Sequence, residues 1–365
     1  MKKIFALLLA VCCLAGCGSL GKGSYSSSKP HATPPSASEP LHTSVKDYYS
    51  LCQALKSLVH SQSAGDKISL SEYRGALLED DIRAAIDYVM RYDALAAYAV
   101  EKISFQLGEI GNHKAVSFRI SYHHNRPNLR TIPYVHTTKQ TFELIRTALL
   151  DFETSLVFRM DNYSDDDFAL WVEAYADENP HLIMERPLVT VNIFPETGKE
   201  RLVELAFTYQ TNRETLREMA EYVEPVFQAS RLNVIAEEQE SVRFSLMYNF
   251  LVERTQIQVV PSITPAYSIF RYGVGDSKAF AQLFAAMCRN AQLECFVVSG
   301  TKDGQPYFWN IICQDGMYYH VDILRHSQNS DLVRYYDYQM VGYVWDFDDY
   351  PVCVPPNNIL QEVEN

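Results

Sequence analysis

The stretch Gly-Val-Gly-Asp-Ser-Lys-Ala-Phe-Ala-Gln-Leu-Phe at residues 273–284 joins a glycine-rich turn to an apolar helical pattern. The apolar positions recur at the spacing of one helix face, at Phe280, Leu283, Phe284 and Met287. A nucleophile held at such a turn lies at a helix N-terminus, where the helix dipole lowers the pKa of a thiol. We therefore look for the chemistry of this chain at the start of this helix.

Three strand patterns follow the helix. Residues 294–300, 306–312 and 317–322 are rich in β-branched and aromatic side chains, and a turn at Asp315-Gly316 joins the last two. A helix followed by an antiparallel sheet indicates the α+β class.

These residues resemble the transglutaminase-like superfamily, which has a papain-like fold. The sequence pattern of that family begins with Gly-x-Cys-x-x-(Tyr/Phe)-Ala at the helix start. It continues in chain order with the motifs Val-x-Gly, His-Ala-Trp-Asn and Trp/Tyr-Tyr-x-Val-Asp. The residues in step with this pattern are Phe280-Ala281, Leu283-Phe284, Val298-Ser299-Gly300, Trp309-Asn310 and Tyr319-His320-Val321-Asp322. The resemblance covers residues 267–322, and residues 343–353 resemble the tail of many bacterial members.

The resemblance implies a replaced active site. In the family a cysteine attacks an amide carbonyl, a histidine activates it and an aspartate orients the histidine. The corresponding positions here are Ser277, Tyr307 and Asp322, so only the aspartate is kept. A serine is far less ionised than a thiol, and a phenol with a pKa near 10 is a poor base at neutral pH. We expect no acyl transfer, and instead a binding pocket that contains these three residues and Trp309, with Ser277, Tyr307 and Asp322 hydrogen-bonded to one another.

Several residues offer ways to rescue catalysis. His320 should face the same side of its strand as Asp322 and is a candidate base, although a hydrogen-bonded strand histidine is the simpler interpretation. Cys295 and Cys313 are candidate nucleophiles, but both lie in apolar strands. Lys278 next to the serine suggests a serine/lysine hydrolase, yet adjacent helix residues point about 100° apart. A shifted alignment would place Gly275 at the nucleophile position, which also predicts no enzyme.

The preceding residues predict a separate α+β domain at residues 45–240, before a transglutaminase-like domain at 241–355 and a tail at 356–365. The expected helices cover 45–60, begin after the acidic residues 79–81, near Thr138 and near Asn212, and cover 242–253 in the second domain. The expected strands are 103–107, 116–122, 155–159, 188–194 and 202–209. Two hairpins, each ending in a tyrosine and followed by a helix, suggest an internal repeat.

An acidic cluster at residues 161–167 has two interpretations. It resembles a calcium-binding loop, but Asp166 stands where the EF-hand pattern requires glycine. A helix that opens at residues 164–167 explains the acids better, because carboxylates favour a helix N-terminus.

The N-terminus predicts export and lipidation. Lys2 and Lys3 precede an apolar run at residues 4–14, which is too short to span a bilayer, and residues 14–17, Leu-Ala-Gly-Cys, resemble the bacterial lipobox. We predict a lipoprotein signal peptide at residues 1–16 and acylation of Cys17. The alternative is an ordinary signal peptide with Cys17 a bystander. Residues 17–44 are rich in Ser, Pro and Gly and predict a tether, so the protein would be anchored to a bacterial cell membrane and face away from the cytoplasm.

Charge and cysteine content exclude some classes of partner. The formal net charge is −13, and removal of Lys2 and Lys3 with the signal changes it to −15. Such a surface argues against nucleic acid. The five remaining cysteines have poor spacing for zinc ligands, so we expect no metal and no cofactor. A disulfide between Cys313 and Cys353 is one option, but the pattern among these two, Cys52, Cys288 and Cys295 stays open.

The sequence therefore predicts a cell-envelope lipoprotein whose degenerate transglutaminase-like domain binds a peptide, a protein or a cell-wall ligand. One alternative is an atypical amide-processing enzyme that depends on Ser277. The other is a structural module in which residues 45–240 carry the interaction.

Overall fold

The computed structural model describes residues 43–75, 78–124, 126–253, 258–325 and 331–356. The predicted signal peptide, Cys17 and nearly all of the predicted tether lie outside the described residues, as do residues 357–365 of the predicted tail. The described residues from 44 onwards form one compact unit.

Helices and strands are mixed along this unit, which confirms the α+β class. The helices are α1 (Tyr48–His60), α2 (Leu78–Tyr92), α3 (Ala94–Ala99), α4 (Arg126–Leu129), α5 (Thr138–Leu150), α6 (Phe168–Glu178), α7 (Arg213–Leu232), α8 (Glu240–Val252), α9 (Pro265–Tyr272) and α10 (Ser277–Asn290), with a 3-10 helix at Asp337–Gln339. None of the helices in the described ranges is both long and apolar enough to cross a membrane.

The strands form three larger sheets and one short parallel pair. They are β1 (Lys67–Ser69), β2 (Val100–Ile110), β3 (His113–Tyr122), β4 (Tyr134–Val135), β5 (Ser155–Met160), β6 (Leu188–Phe194), β7 (Arg201–Thr208), β8 (Gln258–Val259), β9 (Val274–Gly275), β10 (Cys295–Lys302), β11 (Gln305–Gln314), β12 (Met317–Val321) and β13 (Tyr343–Trp345). The sheet orders are β1-β3-β2, β4-β5-β7-β6 and β12-β11-β10-β13, and β8 pairs with β9.

Capping side chains set the helix starts. Helix α7 begins near Asn212, as predicted, and Asn212 is its cap. The carboxylate of Asp167 accepts the N–H of Leu170 at 2.9 Å to cap α6. The acidic cluster therefore leads into a helix, although the helix starts at residue 168, later than predicted. Thr137, one residue before the predicted start, caps α5.

The two hairpins belong to an internal repeat, but the repeated unit differs from the predicted order of hairpin and then helix. Both units have the order helix, strand, helix, hairpin: α1, β1, α2, β2 and β3 in the first, where the short α3 is added, and α5, β5, α6, β6 and β7 in the second. In each unit the second strand of the hairpin pairs antiparallel with the earlier strand, β3 with β1 and β7 with β5. Helix α5 follows the first hairpin in sequence, but its residues Ile145 and Leu149 pack in one cluster with Val203 and Leu205 of the second sheet. The two hairpins thus end equivalent units and do not begin them.

Helix α10 lies in the largest hydrophobic core, and every residue from Ala279 to Cys288 is buried. The same cluster contains Leu216 and Phe227 of α7 together with Phe244 of α8. Apolar packing therefore continues across residue 240. The domain boundary that we placed there stays a prediction.

Candidate functional site

Ser277 is the first residue of α10 and lies against strand β11. Asp276 caps this helix, because its carboxylate accepts the backbone N–H of Ala279 at 2.8 Å. The Ser277 hydroxyl oxygen accepts the backbone N–H of Phe308 at 3.2 Å. The hydroxyl that stands in place of a thiol is therefore bonded to the main chain beside Tyr307.

Two glycines shape the turn before Ser277. Gly273 ends α9 with φ of 69°, in the left-handed region that favours glycine. Gly275 has no room for a side chain, because a Cβ there would lie 2.9 Å from Ile269. The glycine-rich turn is thus needed to bring α9 and α10 into contact.

Tyr307, at the histidine position of the family pattern, is bonded to the retained aspartate. Its hydroxyl donates to Asp322 Oδ1 at 3.0 Å, and it also lies 3.2 Å from Oδ2. Burial and the negative charge of Asp322 raise the pKa of Tyr307 above its usual range. Of the predicted hydrogen bonds among the three residues, the one between Tyr307 and Asp322 is present, whereas Ser277 is bonded to neither of them in the described part of the chain. A phenol with a raised pKa stays protonated at neutral pH.

Lys302 and Tyr343 complete a group that we call the Asp322 cluster, which consists of Lys302, Tyr307, Asp322 and Tyr343. Lys302 Nζ lies 3.0 Å from Asp322 Oδ2, and the Tyr343 hydroxyl donates to the same oxygen. The ammonium group also lies 4.6 Å and 4.9 Å from the ring centres of Tyr307 and Tyr343. In this cluster the carboxylate of Asp322 pairs with a lysine. In the family pattern the corresponding carboxylate orients a histidine.

His320 is fully buried and is not a partner of Ser277. Its Nδ1 lies 2.9 Å from Trp309 Nε1, and its Nε2 lies 2.8 Å from Asp337 Oδ1. An indole nitrogen only donates, so Nδ1 must accept and the ring proton is on Nε2. Both nitrogens are thus engaged in the core, which supports the interpretation of a hydrogen-bonded strand histidine.

Trp309 belongs to the same core. Only 1% of its surface is exposed, and its ring contacts those of Tyr343 and Trp345. The indole has no exposed surface from which to contact a ligand, contrary to our prediction for this residue. The predicted ligand contacts of Ser277, Tyr307 and Asp322 stay predictions.

His320, Asp337 and Cys353 bring possible metal ligands together, with ligand atoms within 4.8 Å of one another. A metal bound at Nε2 would move the ring proton to Nδ1, where it would face the N–H of Trp309. Burial raises the pKa of the Cys353 thiol to about 12, so it stays protonated at neutral pH. These residues fit a metal ion poorly and fit a hydrogen-bonded core well.

The other residues that we considered as substitutes for the catalytic cysteine or histidine do not contact Ser277 in the described part of the chain. Lys278 Nζ lies 2.7 Å from Asp177 Oδ2, which directs it towards α6 and does not favour a serine/lysine pair. Burial raises the pKa of the Cys313 thiol, and Cys295 lies in β10 as a free thiol. Cys313 and Cys353 are also free thiols and form no disulfide in the described part of the chain.

Sequence reasoning did not find Lys302 or Asp337. Lys302 is the last residue of β10, two residues after the glycine of the Val-x-Gly motif, and no part of the family pattern points to it. A Cβ on that glycine, Gly300, would lie 2.2 Å from the carbonyl oxygen of Val344, which explains why the motif ends in glycine where β13 pairs with β10.

Comparison with known proteins agrees with this geometry. Residues 233–323 match the family model described as the transglutaminase-like superfamily. Comparison with the curated proteins finds no match.

Two solved structures show weaker similarity. One is described as a TGase, with 9% identity, 62% of this chain and 66% of that chain covered, and a TM-score of 0.26. The other is a candidate protease from Parabacteroides distasonis, with 9% identity, 60% and 35% covered, and a TM-score of 0.23. This chain thus spans about two thirds of the length of the first and about a third of the second.

The matched residues 233–323 contain α10, β10, β11 and β12, together with Ser277, Tyr307 and Asp322. This part of the chain is a domain of the transglutaminase-like superfamily.

Proposed function

We propose that this protein is a cell-envelope lipoprotein whose transglutaminase-like domain is non-catalytic and binds a peptide, a protein or a cell-wall ligand. The observation that carries the proposal is the bond between the Tyr307 hydroxyl and Asp322. Where the family has a histidine and a carboxylate, this chain has a phenol and a carboxylate that is already paired with Lys302.

The chemistry of acyl transfer explains why this replacement matters. Ser277 needs a base to remove its proton as it attacks a carbonyl carbon, and in the described residues its hydroxyl oxygen is bonded to a backbone N–H and to no imidazole. Loss of a nucleophile or base costs several decades of rate in enzymes of this type, and the residual rate then comes from substrate binding and oxyanion donors.

The catalytic part of the proposal is tested by assay of the purified mature chain. We expect no transamidation, deamidation or peptide hydrolysis above the rate of the matched Ser277→Ala variant. Activity that is present in the wild type and abolished by Ser277→Ala would contradict the proposal. It would favour the alternative of an amide-processing enzyme that depends on Ser277.

The location of the protein rests on residues 1–17 of the sequence. Acyl chains on Cys17 would hold the protein at the membrane. We expect a Cys17→Ser variant to incorporate no labelled palmitate, while the wild type is labelled and stays with the membrane fraction. Equal labelling of the two proteins would contradict the anchor.

A further inference from the structure

A cleft lies between α6 and α10, apart from the Asp322 cluster. Its volume is about 320 Å³, within the range of small-molecule sites, and its walls include Asp177, Lys278 and Gln282. Lys278 and Gln282 are one helical turn apart and share a face of α10. Ser277 lies on another face, against β11. The cleft is therefore separate from the residues that replace the active site.

Gln282 is the unusual residue of this cleft. Only 8% of its surface is exposed and its side chain lines the cleft; no hydrogen bond joins its amide to the described residues, and its amide atoms are not among the fully buried polar atoms that lack a partner, so they face the solvent of the cleft. A carboxamide offers two N–H donors and a carbonyl acceptor. A ligand that supplies a donor and an acceptor side by side can take the place of water at such an amide.

The charged groups around the cleft already have partners. Lys278 pairs with Asp177, and Arg186 pairs with Glu173 and lies 3.9 Å from Asp177. The carboxylate of Glu185, which is 3% exposed, accepts backbone N–H groups on both oxygens. The cleft group that has no partner among the described residues is thus a neutral amide, and an uncharged ligand group fits it better than an ion.

From these observations we propose that the α6–α10 cleft binds a secondary amide, whose N–H donates to the Gln282 carbonyl and whose carbonyl accepts from the Gln282 NH₂ group. The main chain of a peptide and the N-acetyl group of an amino sugar both supply this group. The inference deepens the proposed binding role, but it does not require the loss of catalysis, because Ser277 takes no part in the cleft.

The experiment titrates the full mature chain with two amide probes, a capped alanine dipeptide and N-acetylglucosamine, and follows the side-chain NH₂ signals of glutamine by NMR. We expect at least one probe to shift the Gln282 signal saturably, and the probe with the higher affinity identifies the source of the amide. The ester analogue of the dipeptide lacks the N–H donor and should bind about tenfold more weakly if the peptide is the ligand.

Two variants complete the test. Gln282→Met keeps the size of the side chain and should weaken the binding about tenfold, whereas Gln53→Met, at an exposed position of α1, should leave it unchanged. Absence of any probe-dependent shift of Gln282 in the wild type would overturn the inference, as would equal affinity of the wild type and Gln282→Met. Neither result would alter the outcome of the Ser277→Ala assay, so failure of this inference and failure of the proposed function are distinguishable.

Discussion

Replacement of Asp322 by alanine is expected to lower the free energy of unfolding by about 3 kcal/mol. The carboxylate side chain is only 2% exposed, and it accepts hydrogen bonds from Tyr307, Tyr343 and the backbone N–H of Leu324. Hydrogen bonds to a charged acceptor contribute about 1.5–3 kcal/mol each, and removal of the acceptor leaves both phenol donors without a partner. Lys302 adds less to the loss, because it is 26% exposed and can turn to water.

Urea unfolding of the variant and the wild type measures this difference. The matched control is Asp87→Ala, which removes an exposed carboxylate from α2 and should change stability by less than about 0.5 kcal/mol. A loss for Asp322→Ala no larger than that of the control would show that the Asp322 cluster does not hold the sheet together. The expected loss would mean that a residue which orients a base in the family has a structural role here.

The stability of the protein should fall by about 3 kcal/mol between pH 6.5 and pH 4 through His181 alone. The imidazole stacks on Phe227 with ring centres 3.7 Å apart, and its buried Nδ1 has no partner in the described part of the chain. Burial, and then the positive charge of Arg289, lower the pKa of His181 from 6.5 to about 4.

The direction of this pH dependence follows from the difference between the pKa of His181 in the folded protein and in the unfolded chain. Between pH 6.5 and about 4 the unfolded chain binds a proton at His181 that the folded protein does not bind. The free energy of unfolding is therefore level above pH 6.5 as far as this group is concerned, and it decreases as the pH falls towards 4. Burial also lowers the pKa of His320, so this histidine acts in the same direction.

The measurement compares denaturant unfolding at pH 7 and pH 4.5 for the wild type and His181→Phe. The phenylalanine keeps a ring against Phe227 and removes the titrating nitrogen, so the variant should lose less stability on acidification. Groups that titrate in both proteins contribute equally to both losses of stability, so they cancel when the loss of the variant is subtracted from that of the wild type. His113→Asn, at an exposed position of β3, should behave like the wild type. Equal losses for the wild type and His181→Phe would contradict the account.

The residues at the predicted nucleophile, base and aspartate positions could be located from sequence because their order in the motif fixes their place. A glycine-rich turn before α10 places Ser277, and the strand patterns place Tyr307 and Asp322 on neighbouring strands. The contact between Tyr307 and Asp322 follows from that register, since β11 and β12 are paired. This part of the site depends on elements that are adjacent in the chain.

The partners from distant elements could not be predicted. Tyr343 reaches Asp322 because β13 pairs with the far end of β10, and His320 is buried because Asp337 and Trp309 take both of its nitrogens. The α6–α10 cleft could not be predicted either, because its walls come from segments that are far apart in the sequence. The hydrophobic pattern identifies each helix or strand by itself and does not show which of them pack together. For the same reason the repeat was predicted with the wrong start, because α5 packs on the second sheet and opens the second unit and does not close the first.

The most direct test of the central claim is covalent capture at Ser277. The wild type and Ser277→Ala are incubated with an activated acyl ester, and the mass of the peptide that contains residue 277 is measured. We predict no acyl adduct on Ser277, because its hydroxyl accepts the N–H of Phe308 and is bonded to no base among the described residues. An acyl group on Ser277 in the wild type would contradict the account, since it would show that this serine is a working nucleophile.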